Sequence, residues 1–227
     1  MPVPNDAVPT PGFASARRFM VDGQVRPSDV TDLRVIDAML AVPREAFVPA
    51  TQRGMAYIDL DLEVGTSGRF LIKPVVVARL LQAADIKPTD RVLVVGCATG
   101  YVAAVVAHLA TEVVATEPDP ALAAQAAATL AAQGYAQVTV VQAPAEAGDP
   151  AHAPYDVIVL DGATAVEPAR LYQQLAEDGC LVGVFGIRGP QRAVLVRRSH
   201  DGFGERALFD ASAPVLPGLQ QTPEFVF

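Results

Sequence analysis

Tryptophan is absent from the 227 residues, cysteine occurs twice and histidine three times. Cys97 and Cys180 stand too far apart for a C-x-x-C metal or dithiol pair, so both are expected to be small buried hydrophobes. His108, His152 and His200 are scattered and join no cluster with metal-ligand spacing; they are expected to be exposed or packing residues, and no metal is expected. Cationic side chains are in the minority, 17 Lys and Arg against 25 Asp and Glu, for a net charge of −8. Binding to a phosphate backbone or an acidic membrane draws on a basic face that releases counterions, so neither nucleic acid nor membrane is an expected partner. No apolar run approaches the roughly 20 residues that cross a bilayer. The opening "MPVPNDAVPTPGF" lacks the basic start and apolar centre of a secretory signal, which points to the cytoplasm.

What the chain does have is hydrophobic residue, 51% of it, arranged with two periods. Residues 1–13 carry four prolines and no apolar period, which predicts a flexible arm. Arg17–Val25 and Asp32–Leu40 then show helical spacing, with Ser28 to Asp32 supplying caps for the second helix. Ala50–Gly68 reads as loop, and Pro74–Ala84 as a helix with proline in its first turn. From Asp90 the reading alternates: strand Arg91–Val95, helix to about Ala110, strand Val113–Thr116, helix Pro120–Gln133, strands Val138–Gln142 and Asp156–Leu160, helix Pro168–Ala176. Strands Cys180–Phe185, Ala193–Arg197 and Ala207–Phe209 follow, the last two as an antiparallel pair. Such alternation predicts an α/β chain with a mostly parallel sheet and an antiparallel edge. The expected organisation is one integrated domain: arm 1–13, helical cap and substrate loop 14–84, and ligand-binding core 85–227.

The segment "RVLVVGCATGY", Arg91 to Tyr101, reads as a buried parallel strand ending in a glycine turn, the place where a doubly wound sheet meets its ligand. Glu117 follows Gly96 by about twenty residues, the offset at which an acid accepts hydrogen bonds from ribose hydroxyls. A dinucleotide fold calls for a small residue where Tyr101 stands, which argues against a pyrophosphate here. The turn instead resembles the acid-x-Gly-x-Gly-x-Gly turn of S-adenosylmethionine-dependent methyltransferases. Gly96 and Gly100 match it, while Val94 replaces the acid and Ala98 the middle glycine.

"MVDGQVRPSDVTDLRVIDAMLAVPREAFVP", Met20 to Pro49, is similar to the N-terminal signature of the protein-L-isoaspartate O-methyltransferase family, through Met20, Val21 and Gln24, then Val35, Ala38 and Met39, then Val42, Pro43, Arg44, Phe47, Val48 and Pro49. "AYIDLDL" (56–62), "PYDVIVL" (154–160) and "QLAEDGCLV" (174–182) extend the resemblance across about Arg17 to Phe209. It implies a Rossmann-like seven-stranded methyltransferase sheet under a helical N-terminal cap, S-adenosylmethionine as cofactor, and methyl transfer to isoaspartyl carboxylates in protein or peptide substrates, a repair reaction. The cofactor residues it implies are Gly96, Cys97, Ala98, Thr99, Gly100, Tyr101, Glu117, Pro118, Pro144, Ala145 and Glu146, with Glu146 standing in for an adenine-side acid that Pro144 replaces.

The family carries a hydroxyl-bearing TIS-type segment before a proline; here "GRFLIKP" puts Phe70 and Ile72 at the hydroxyl positions, with Thr66 and Ser67 the nearest substitutes. No catalytic residue is therefore assigned. An apolar wall there leaves a carboxylate without donors, at a cost of about 1–3 kcal/mol per unmet partner, so weak isoaspartyl activity is expected. Two alternatives stay open: a family member acting as a binding or regulatory module, and, behind it, a nicotinamide-dependent oxidoreductase.

Overall fold

The structure is a computed structural model that describes residues 12–65, 68–187, 189–200 and 202–221. The arm reading of residues 1–13 thus falls almost wholly outside the described residues, as do Thr66 and Ser67. Phe13 already opens the first helix, α1 (Phe13–Met20), which continues as a wider turn over Val21–Val25 rather than as one regular helix from Arg17 to Val25. Helix α2 (Leu33–Ala41) starts at Asp32, whose carboxylate accepts from the Arg34 amide and satisfies one of the free donors of the first turn.

The stretch read as loop holds more structure. A 3-10 turn spans Ala50–Met55, and a short antiparallel hairpin joins β1 (Leu62–Val64) to β2 (Arg69–Leu71), with Phe70 opposite Glu63. Three-residue strands are too brief to show a period of two, which is why the sequence hides them. Helix α3 (Pro74–Ala84) follows. Its first-turn amides are held by the AYIDLDL segment: Asp61 accepts from the Lys73 amide at 3.0 Å and Asp59 from the Val75 amide at 3.1 Å.

Strands β3 (Arg91–Val95), β4 (Glu112–Glu117), β5 (Thr139–Gln142), β6 (Tyr155–Thr164), β7 (Leu175–Phe185), β8 (Arg192–Ser199) and β9 (Gly202–Asp210) form one sheet in the order β5-β4-β3-β6-β7-β8-β9. Five are parallel, and β8 and β9 are antiparallel. Helices α4 (Tyr101–Val106) and α5 (Pro120–Ala132) connect parallel neighbours β3 to β4 and β4 to β5. The order reverses between β3 and β6, so the crevice at their carboxyl ends is the topological switch point.

Two helices are shorter than their patterns suggest. Helix α4 ends at Val106 instead of near Ala110, and α6 (Ala169–Tyr172) is a single turn. Ala176, read as helix, lies in β7, because Leu175 pairs with Tyr155 and draws the chain into the sheet. No helix among the described residues is long and apolar enough to cross a membrane.

The sheet separates two apolar clusters. Val92, Val94, Val157, Val159 and Val182 face α2, α3, α4 and α5 on one side. Leu93, Val95, Ile158, Leu160 and Leu181 face the other, where α6, Ala145 and the C-terminal residues Leu216 and Leu219 cover them. Both cysteines are free and buried, as expected, Cys97 in the glycine turn and Cys180 on β7. The three histidines lie at the surface.

Candidate active site

The valine run of β3 stops at Gly96 because the chain must turn back over the end of β4. The Gly96 and Cys97 amides both donate to the Thr116 carbonyl, at 2.8 and 2.9 Å, and Gly96 adopts φ +73°, a left-handed conformation that costs glycine nothing. Gly100, φ +98°, caps α4, and a methyl group on it would come within 3.1 Å of Leu130 in α5. Between them Ala98 is also left-handed, at φ +50°, which strains a residue with a Cβ by about 1–2 kcal/mol. The strain aims its amide at Glu117, whose Oε2 accepts it at 2.8 Å.

Glu117 ends β4 and is fully buried. Oε1 takes the Asp119 amide at 3.2 Å, and Arg69 lies across both oxygens, Nε at 3.2 and 3.4 Å and Nη2 at 3.3 Å from Oε2. Nη2 also donates to the Gly96 carbonyl at 2.6 Å. Arg69 is 1% exposed, although in the sequence a lone arginine beside a glycine carries no signal of burial. The alternation of β2 settles its direction: Arg69 and Leu71 point inward, and Phe70 between them is only half buried.

The two apolar positions therefore differ. Phe70 leaves the strand on the side opposite Arg69, whereas Ile72 is buried and its carbonyl accepts Arg44 Nη2 at 2.9 Å. Arg44, fully buried, also donates through Nε to the Ala56 carbonyl at 2.8 Å and lies over the Tyr101 ring at 4.6 Å. Burial lowers its pKa and raises that of the Tyr101 hydroxyl. Tyr101 points into the helical side of the core, edge-on to Phe47, while Thr99 donates its hydroxyl to the Phe47 carbonyl at 2.5 Å. The N-terminal segment is thus latched directly to the turn.

On the far side Pro144 is exposed, Ala145 is buried, and Pro118 is half buried. Glu146 has one carboxylate oxygen, Oε2, buried without a hydrogen-bond partner, beneath Gly218. In β6, just past its last pairing with β3 at Leu160, Asp161 is 1% exposed, and neither of its oxygens has a hydrogen-bond partner. Burial pushes its pKa up to about 7, against the pull of Arg69 and Arg44; Glu117 and Asp61 add to the rise.

In kind, these residues suit a nucleoside: a carboxylate at a strand end, a turn presenting backbone, and an orphaned acid deeper in the crevice. In volume, part of the crevice is taken up by a side chain. Leu216 packs on Gly96 and Gly162, so that a methyl on either α-carbon would approach its Cδ2 to 2.6 and 2.7 Å. Open clefts of about 430 Å³ lie elsewhere, one lined by Tyr172, Phe185 and Glu205, another by Asp59, Lys73 and Phe209, and neither includes Gly96 or Glu117.

A model of the protein-L-isoaspartate(D-aspartate) O-methyltransferase family matches residues 19–209. The chain belongs to that family. A protein-L-isoaspartate O-methyltransferase of Roseiflexus sp. (strain RS-1) is 39% identical over 213 residues, 93% of this chain and 97% of the relative. Protein-L-isoaspartate O-methyltransferase 2 of Marinobacter nauticus is 43% identical over 199 residues, 87% and 90% of the two chains. Among solved structures, the Plasmodium falciparum protein described as a putative protein-L-isoaspartate O-methyltransferase, in complex with S-adenosyl-L-homocysteine, superposes with TM-score 0.77 at 18% identity over 91% of this chain and 99% of that one; it bears on the fold alone. The family model's match reaches from the N-terminal cap into β9.

Proposed function

We propose that the chain methylates isoaspartyl carboxylates in protein or peptide substrates, using S-adenosylmethionine bound over the Gly96–Tyr101 turn with its ribose on Glu117. The observation that carries this reading is the family match across residues 19–209, which includes that turn and Glu117. The bound cofactor would supply an electrophilic methyl group. A carboxylate acceptor is ionised at neutral pH, so no residue has to remove a proton from it. The chain's part is to hold the two reacting groups in line and to keep water out.

Thr66, Ser67, Phe70 and Ile72 are the proposed surroundings of the acceptor. Pro144, Ala145 and Glu146 are proposed for the adenine side. A cytoplasmic location and the division into cap 14–84 and core 85–227 belong to the same reading. The test is transfer of labelled methyl to an isoaspartyl peptide, measured beside the same peptide carrying ordinary aspartate. Transfer to the first alone is expected; no transfer to it, from protein that binds the cofactor, overturns the acceptor assignment. Leu216 packed on Gly96, with Arg69 lying across Glu117, favours a second reading, a family member that serves as a binding module.

A further inference from the structure

Once S-adenosylmethionine is placed on Glu117, as the proposed function has it, Arg69 and Leu216 stand in its way. An ionised carboxylate has about four acceptor directions. All are taken, by Arg69 along the carboxylate edge and by the Ala98 and Asp119 amides at its flanks. A ribose diol can reach Glu117 only by replacing the guanidinium. The apolar half of the crevice is filled as well, since Leu216 is fully buried over Gly96 and Gly162.

The segment carrying Leu216 is strapped down by the backbone. The Ala163 amide donates to the Pro214 carbonyl, the Leu216 amide to the Ala163 carbonyl and the Ala165 amide to the Leu219 carbonyl, each at 2.8 Å. Leu219 is 1% exposed, and Gly218 lies on the Glu146 carboxylate. One strap therefore covers both the turn and the acid read as the adenine-side partner.

The guanidinium has somewhere to go. Asp161 is buried with two unpartnered oxygens, and Arg69 is the foremost of the opposite charges acting on it. A buried arginine released from one carboxylate is far less costly when a second carboxylate stands ready to take it.

We propose that Arg69 and the 213–219 strap act as a built-in competitor for the nucleoside: cofactor entry lifts Leu216 out of the crevice and moves the Arg69 guanidinium from Glu117 to Asp161. Apparent affinity is then the intrinsic affinity reduced by the fraction of chains whose crevice is open. Residues 69, 161 and 216 set how much cofactor the protein needs, separately from the residues that touch it.

The experiment is calorimetric titration of the full chain with S-adenosyl-L-homocysteine, with native-state hydrogen exchange of the Ala163, Ala165, Leu216 and Leu219 amides read with and without the nucleoside. The strap amides should lose protection at saturation while those of β3 keep theirs. The Leu216→Ala/Leu219→Ala variant should bind about tenfold tighter or more, having a larger open fraction. Asp161→Asn should bind about tenfold more weakly, because the displaced guanidinium then meets a neutral amide.

Saturable binding with the strap still protected, or with no gain in the double variant, overturns the competitor while leaving the proposed cofactor in place. Unchanged affinity in Asp161→Asn overturns the second berth. Absence of binding to wild type but not to the double variant supports the proposal. Absence of binding to both overturns the proposal and the cofactor reading together. The exchange measurement on wild type does not depend on any variant folding.

Discussion

On one face of the seven-stranded sheet the valines of β3, β6 and β7 lie under four helices and the segment around Arg44; on the other, alternate residues of the same strands lie under one helical turn and two leucines of the C-terminal strap. The first cover is bound to itself by helical hydrogen bonds and capped ends, so removing it means unfolding the protein. The second is held by three backbone bonds to residues 163–165 and by the Ala213 amide on Gln191, and the proposed exchange requires it to lift without the sheet unfolding. Local openings of this kind span the range from almost nothing to the full stability, and sites that must admit a ligand sit at the low end. The helical cover is thus the rigid one, and the strap carries the part that the proposed exchange has to move.

The sharpest break in that contrast is expected at Glu117, which belongs to both halves. Glu117→Ala strands the buried Arg69 and should lower unfolding stability by about 3–5 kcal/mol, measured by denaturant titration. Leu80→Ala in α3, 1% exposed, should cost about 2–5 kcal/mol and Leu219→Ala distinctly less, since the strap can undock without global unfolding. Equal losses would show that the two covers are equally rigid.

A third measurement uses pH. Asp161 has its pKa raised to about 7 in the folded chain, so between about pH 4 and 7 the unfolded chain has lost a proton that the native chain keeps. Stability should fall as pH rises through that window and level off above it. Asp161→Asn should flatten the profile and stabilise the protein at pH 8 by on the order of a few kcal/mol. A steeper profile in the variant would mean that Asp161 is ionised and paired. The smallest effect is expected at Asp119→Ala, which removes the cap of α5 on the rigid half and should cost about 1 kcal/mol.

Much of this architecture is legible in the sequence wherever the pattern is long. The run Arg91–Val95, the proline-led helix at 74–84 and the alanine-rich helix after Asp119 fall where their residues place them. The 62–71 hairpin is hidden because three residues cannot display a period, and the helical pattern of 168–176 outruns α6 because tertiary pairing with β6 outcompetes helix propensity after Tyr172. In the site, Ala98 meets Glu117 directly, and Gly96 is joined to Glu117 through Arg69. Arg69 escaped because nothing in "SGRFLI" distinguishes a buried arginine from a solvated one; only the strand's alternation, visible once the hairpin is known, turns it inward. "APVLPGL" escaped for the same reason: it has no period, and its role comes from residues fifty positions away in the chain.

Cys97, beside Gly96, is fully enclosed, and burial raises its thiol pKa, while Cys180 is walled in on β7 with its sulfur 3.8 Å from the Ala84 carbonyl. Alkylating reagents attack the exposed thiolate. Both thiols belong to the cluster on the helical face of the sheet, so the wild-type chain carries a chemical stopwatch for that cover: under brief exposure to a small maleimide, labelling at Cys97 and at Cys180 should keep the pace of wholesale unfolding, whether the strap is down or lifted.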